Sequence, residues 1–155
     1  MLESLIVFVA VLLDRLTKLW AAGPLKSAGR MEFLPGVMEF NYVENQGAAF
    51  SMFWGKTWVC VILTVLIVAF LLGYLIKYRA SEGLLMRIAV SCIIGGAIGN
   101  LIDRVLYGYV IDFLRPIFIR FAVFNIADIF VTCGAMLFIV LLLFFSKGKK
   151  QDEAV

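Results

Sequence analysis

Residues 57–76 read TWVCVILTVLIVAFLLGYLI, an unbroken uncharged run ended by Lys77 and Arg79. A bilayer's hydrocarbon core, about 30 Å thick, takes about 20 apolar residues of helix, so this stretch predicts a transmembrane helix. Working outward, Leu84 to about Tyr107 is a second such run, with Arg87 near one end and Asp103 and Arg104 near the other. Phe121–Ser146 is a third, carrying only Asp128. Upstream, Ser4–Leu13 is apolar but too short to span, so the first helix is expected to continue through Asp14-Arg15-Leu16-Thr17-Lys18 to about Ala22. Glu3 stands where a cleavable signal peptide has basic residues, and the charges fall in mid-segment, so this helix is read as retained. The expectation is an all-α membrane protein of one domain, residues 1–155, with a small extracytoplasmic β-sheet and loop. Its four transmembrane helices are placed at about 4–22, 57–76, 84–107 and 122–146, and its outer loops at about 23–56 and 108–121.

Composition agrees with that class. Of 155 residues 63% are hydrophobic and 16% charged, with a mean hydropathy of +1.01. Soluble domains are about half apolar and about a quarter charged. There is no histidine, and Cys60, Cys92 and Cys133 lie in apolar runs without CxxC spacing, so they read as buried small apolar residues. That argues against zinc and against a serine or cysteine nucleophile with a histidine base. No metal or cofactor is expected. No basic block interleaved with aromatics suggests a nucleic-acid partner.

Orientation follows from the bias of Lys and Arg toward the cytoplasmic side. Lys77, Arg79 and Arg87 flank the short link between the second and third helices, and Lys147, Lys149 and Lys150 fill the C-terminal tail. Both termini are therefore expected in the cytoplasm. In the first outer loop, residues 32–43 (EFLPGVMEFNYV) read as short alternating strands around a Pro-Gly turn. Phe50, Met52, Phe53 and Trp54 are candidate interfacial anchors.

The polar residues within the apolar runs carry the functional signal. An ionisable group in a membrane helix costs at least about 2.5 kcal/mol on insertion scales. Asp14, Thr17 and Lys18 share a face of the first helix by their spacing. Gly96, Asn100 and Asp103 share one on the third, with Arg104 beside them, and Asn125, Asp128 and Thr132 one on the fourth. Asp112 lies in the loop just before the fourth helix. On the expected topology all of these sit at one level, in the outer part of the membrane. Plain structural roles compete for several. Asp14 and Lys18 are spaced for an ion pair, Asp103 with Arg104 for a capping or interfacial pair, and Gly95 with Gly99 for close helix packing. Asp128 has no positive residue within a helical turn and sits in an otherwise apolar run, and Asp112, between Val110-Ile111 and Phe113, is likewise an acid in apolar company. Two carboxylates brought together cannot both ionise easily, so one can act as base on a water while the other acts as acid on a carbonyl.

In order along the chain stand Asp14-Arg15-Leu16-Thr17-Lys18, Asn45-Gln46-Gly47-Ala48-Ala49-Phe50-Ser51, Gly95-Gly96-Ala97-Ile98-Gly99-Asn100-Leu101-Ile102-Asp103-Arg104, Val110-Ile111-Asp112-Phe113 and Phe124-Asn125-Ile126-Ala127-Asp128. With these five segments the chain resembles the bacterial lipoprotein signal peptidases (signal peptidase II). The resemblance implies that Asp112 and Asp128 are catalytic, and that Asp14, Lys18, Asn45, Gly47, Asn100, Asp103, Arg104 and Asn125 surround the substrate or support the site. It implies a diacylglyceryl-modified lipoprotein precursor as substrate, cut on the amino side of the lipidated cysteine, and inhibition by the cyclic peptide globomycin. It also implies a multi-pass enzyme of the bacterial cell (inner) membrane, in contact with membrane lipids, with its site near the outer face. Nothing in the sequence calls for more than a monomer. Three rival readings compete: a proton- or ion-coupled transporter, a serine–lysine peptidase using Lys18 and Ser51, and a non-enzymatic assembly or scaffold protein. The first lacks a path of acids across the membrane, the second a convincing serine, and the third leaves the buried acids unexplained.

Overall fold

The computed structural model of the chain describes residues 1–47 and 56–145. Helix α1 covers Leu2–Trp20, continues as one wide turn of π type over Ala21–Leu25, and ends in a last turn, Lys26–Ala28. Strands β1 (Arg30–Leu34) and β2 (Met38–Asn45) follow, then helices α2 (Thr57–Tyr78) and α3 (Leu84–Tyr107). Strand β3 (Val110–Pro116) and helix α4 (Ile126–Phe145) complete the described chain. The wide turn accommodates Pro24, which has no N–H to donate to the preceding turn. The candidate anchors Phe50, Met52, Phe53 and Trp54, and the tail lysines 147, 149 and 150, lie outside the described residues.

Helices α2, α3 and α4 are long and apolar enough to cross a membrane, with mean hydropathies of 3.0, 1.8 and 2.6. Helix α1 falls short by that composition because Glu3, Asp14, Arg15 and Lys18 share its 19 residues. Its packing is nevertheless inside out relative to a helix in water. Ala10, Asp14 and Lys18 form the buried line, whereas Leu5, Phe8, Leu12, Leu16 and Leu19 are exposed.

Helix α3 is the hub, and its glycines make it so. A Cβ on Gly95 would lie 2.6 Å from the Cβ of Ala10 on α1, and one on Gly99 would lie 2.6 Å from Asp14 Oδ2. A Cβ on Gly96 would press onto the carbonyl oxygen of Ala127 on α4, and from the α4 side one on Gly134 would come within 2.7 Å of Ala89 O on α3. The expected Gly95–Gly99 packing spacing is thus part of a longer arrangement that seats α1 and α4 against α3. Gly96→Ala is expected to destabilise the protein by about 1–3 kcal/mol through overpacking and to depress activity by pushing α4 outward. Gly73→Ala, where nothing lies within 4 Å, is expected to be neutral or slightly stabilising. Thermal unfolding in detergent compares the two.

The strands form one antiparallel sheet in the order β1-β2-β3. The hairpin predicted around Pro35-Gly36 is present, with Gly36 at φ 73 and Val37 N donating to Leu34 O at 3.0 Å. The third strand, Val110–Pro116, falls in the stretch that the sequence reads as an outer loop. It pairs with β2 from Asn45↔Val110 through Val43↔Asp112 to Met38↔Pro116. Nearly all of β3 is buried, so it shows no alternation to read. Trp20 meets Phe40 and Phe113 edge-on, at 5.0 and 6.2 Å between ring centres, which fastens the end of α1 to the sheet. Leu114 and Phe124 exchange backbone hydrogen bonds at 2.8 and 3.0 Å, so the chain is still extended at Phe124. Helix α4 therefore starts at Ile126, later than the expected 122. Of the three cysteines only Cys60 is buried. Cys92 is half-buried and Cys133 exposed, on a helix whose outer surface is apolar.

Candidate active site

The start of α4 shapes the centre of the site. Asn125 is its N-cap: Asp128 N donates to Asn125 Oδ1 at 2.9 Å, and Asn125 N donates to Asp128 Oδ2 at 3.1 Å. This reciprocal capping box satisfies two backbone donors that the helix cannot. Asp128 accordingly sits in the first turn of α4. Its other oxygen, Oδ1, accepts from Asn100 Nδ2 at 2.8 Å. Asp112, from the middle of β3, comes to the same place. Its Oδ1 accepts from Asn125 Nδ2 at 2.7 Å and its Oδ2 from Asn45 Nδ2 at 2.9 Å. One asparagine, fully buried, therefore holds both acids.

Asp112 is 3% exposed. Burial, and next the negative charge of Asp128, push its carboxyl up to about 7, while the Asn45 and Asn125 hydrogen bonds and the Lys18 charge oppose the rise.

Behind this pair lies a buried charge cluster. Lys18, the largest fully buried side chain, places Nζ 2.9 Å from Asp14 Oδ2 and 3.0 Å from Asp103 Oδ2, and donates to Asn100 Oδ1 at 2.8 Å. Asp14 Oδ1 accepts from Ala127 N at 3.0 Å, another of the N–H groups left unpaired at a helix start. Its Oδ2 touches the ammonium but lies off the direction of a hydrogen bond. Asp103 Oδ2 also accepts from Ile111 N at 3.1 Å, beside Asp112. The Asp14–Lys18 pair expected from spacing is present, but Lys18 serves α3 as well.

The Asp103–Arg104 pair, one of the competing structural roles, does not form. Consecutive helical residues point about 100° apart, and Asp103 turns inward to Lys18 and Arg15. Arg104 instead donates to Gly47 O at 3.2 Å and to Asn100 O at 3.4 Å. Gly47 N in turn donates to Asn45 Oδ1 at 2.9 Å, so Arg104 steadies the asparagine that holds Asp112. Asp14, Lys18, Asn45, Gly47, Asn100, Asp103, Arg104, Asp112, Asn125 and Asp128 thus form one connected hydrogen-bond and ion-pair network. Thr17, on the same expected face as Asp14, touches the network only through its own helix backbone, its Oγ1 donating to Leu13 O at 2.8 Å and to Asp14 O at 3.0 Å. Thr132 is exposed. Arg15 was overlooked, although two acids gathered on one lysine call for a second cation.

The signal peptidase (SPase) II family model matches residues 6–144. The chain belongs to the signal peptidase II family. It is 44% identical to the lipoprotein signal peptidase of Clostridium novyi (strain NT), over 92% of this chain and 97% of that protein. With the lipoprotein signal peptidase of Clostridium acetobutylicum it shares 40% identity, over 99% of this chain and 100% of the relative. A bacterial membrane enzyme solved by the in meso method at 2.3 Å superposes with a TM-score of 0.88 at 35% identity, covering 95% of this chain and 90% of the other. As a signal peptidase II the protein is an integral membrane peptidase, and the network above is its candidate active site.

Proposed function

We propose that this signal peptidase II removes the signal peptide from diacylglyceryl-modified lipoprotein precursors, cutting on the amino side of the lipidated cysteine, with Asp112 and Asp128 as its acid–base pair. The observation that carries the proposal is the tie of both acids to Asn125. In this mechanism Asp112 holds the proton at pH values below about 7, the level to which burial and the neighbouring charge of Asp128 raise its carboxyl. Asp128 takes a proton from a water, which attacks the scissile carbonyl. Asp112 donates its proton to the carbonyl oxygen; the C–N bond then breaks as Asp128 passes its proton to the leaving nitrogen and a hydroxyl of the tetrahedral intermediate returns a proton to Asp112. Asn45 and Asn125 keep Asp112 in place through this cycle, and Asn100 does the same for Asp128.

In this reading α1 is a fourth transmembrane helix. It is supported by the exposed apolar face of Leu5, Phe8, Leu12, Leu16 and Leu19, which suits lipid and not water. Both termini lie in the cytoplasm and the acids near the outer face of the bacterial cell membrane, where the substrate's lipid tails reside. The precursor enters sideways from the bilayer and is cut by a monomer, and globomycin competes for the same site.

The test is cleavage by the purified protein in lipid bilayers of a diacylated precursor and of the same precursor without lipid. Cleavage of the lipidated form alone is expected, and equal rates on both would overturn the substrate assignment. The pH profile tests the proton's position. Asp112 must carry its proton to act as acid, and its carboxyl is raised to about 7, so kcat/KM is expected to fall as pH rises through about 7. A rate that instead climbs across that range would assign Asp112 the role of base.

A further inference from the structure

Arg15 has no part in the mechanism above, yet it reaches the same buried acid as Lys18. Its Nη1 donates to Asp103 Oδ1, while Lys18 Nζ sits 3.0 Å from Asp103 Oδ2 and Ile111 N donates to that second oxygen at 3.1 Å. The Arg15 side chain is 18% exposed and that of Asp103 0%, so the guanidinium closes the cluster at its outer edge. Asp14 and Asp103 contribute two negative charges, and Lys18 and Arg15 two positive ones. The cluster is neutral only with Arg15 in place. Without it, one ammonium would serve two buried carboxylates at low effective dielectric, in competition with its bond to Asn100. That bond matters because Asn100 Nδ2 holds Asp128 Oδ1.

We propose that Arg15 is a positioning residue for the acid pair. By neutralising Asp103 it leaves Lys18 to hold Asn100 against Asp128, and it keeps the Asp103–Ile111 bond that seats Asp112. The inference rests on the reading of Asp112 and Asp128 as the acid–base pair. It carries a signature in pH. The groups that face Asp112 are Asp128 and Asn125 from α4 and its cap, Asn45 from β2 and Lys18 from α1. Asp103 of α3 reaches the adjoining Ile111 amide, and Arg104 of the same helix is turned to Gly47 O and Asn100 O. Removing the Arg15 charge adds one uncompensated negative charge to this set. Negative charge favours the protonated form of Asp112, so the fall of activity with pH moves upward.

The experiment measures cleavage of a diacylated precursor in bilayers against pH, for wild type, Arg15→Gln, Arg15→Lys and the double variant Arg15→Gln/Asp103→Asn. For Arg15→Gln, kcat is expected to drop about tenfold with KM nearly unchanged, and the alkaline limb to rise by roughly half a pH unit or more. Arg15→Lys returns the limb to its wild-type position because it restores the charge. The double variant does so by removing the opposite charge as well, and it keeps the question answerable if Arg15→Gln alone fails to fold. An unmoved limb in Arg15→Gln overturns the proposal, as does a double variant whose limb stays displaced. Asp112→Asn and Asp128→Asn are run alongside. If either cleaves normally, the underlying acid–base reading fails. If both are inactive while the limb of Arg15→Gln stays put, only the role of Arg15 fails.

Discussion

Asp112→Asn and Asp128→Asn are each expected to lower kcat by about a hundred- to ten-thousand-fold, the range that general acid–base groups contribute. Each change is isosteric and removes the ability to exchange a proton, so the loss reads chemistry before packing. The two are expected to differ in stability. The Asp112 side chain accepts two side-chain amides, from Asn45 and Asn125, and an amide in its place can keep one and reorient the other. Asp128 also accepts the backbone N–H of its own N-cap, so its replacement weakens the start of α4 and is expected to cost about 0.5–2 kcal/mol. Single-turnover cleavage beside thermal unfolding separates the two effects. Wild-type cleavage by either variant would remove the acid pair from the mechanism.

Lys18→Met is expected to be the most destabilising single change in the site. The replacement fills similar volume but leaves Asp14 and Asp103 buried, with only Arg15 to balance them. Breaking a buried ion pair by removing one partner costs about 3–5 kcal/mol, a large share of the total stability of a small protein. Asn100 would lose the donor to its Oδ1, so activity should fall even in the fraction that folds. The double variant Lys18→Met/Asp14→Asn removes the opposite charge too, and is expected to unfold at a higher temperature than Lys18→Met alone. If the single variant proves as stable as wild type, the cluster contributes nothing to holding α1 against α3.

Local rules carried some of this site and missed the rest. The Asp14–Lys18 pair is legible because residues i and i+4 of one helix face the same way. The same periodicity misled at Asn125 and Asp128. Their spacing of three fits a shared helix face, but it also fits a capping box, and the extended chain through Phe124 selects the box. Asp103 and Arg104 are neighbours in sequence, and adjacency suggested a pair that helix geometry forbids. Strand β3 left no trace in the pattern, because Val110–Leu114 is buried throughout and so does not alternate. Asp112 could be singled out as an acid in apolar company, but its partners Asn45 and Asn125 come from separate segments.

By itself the sequence determined that this is a membrane protein, where its three long apolar helices lie, that a hairpin forms at Pro35-Gly36, and which polar residues stand in apolar surroundings. Each of these depends on composition or on the repeat of one element, and so is written along the chain. The tertiary structure alone decided which acid meets which cation, that α4 opens with a cap made of site residues, and that a third strand carries Asp112. Those depend on how closely helices approach at Gly95, Gly96 and Gly99 and on the register of β2 against β3. Distances between elements are set by packing, which no periodicity within a single element records.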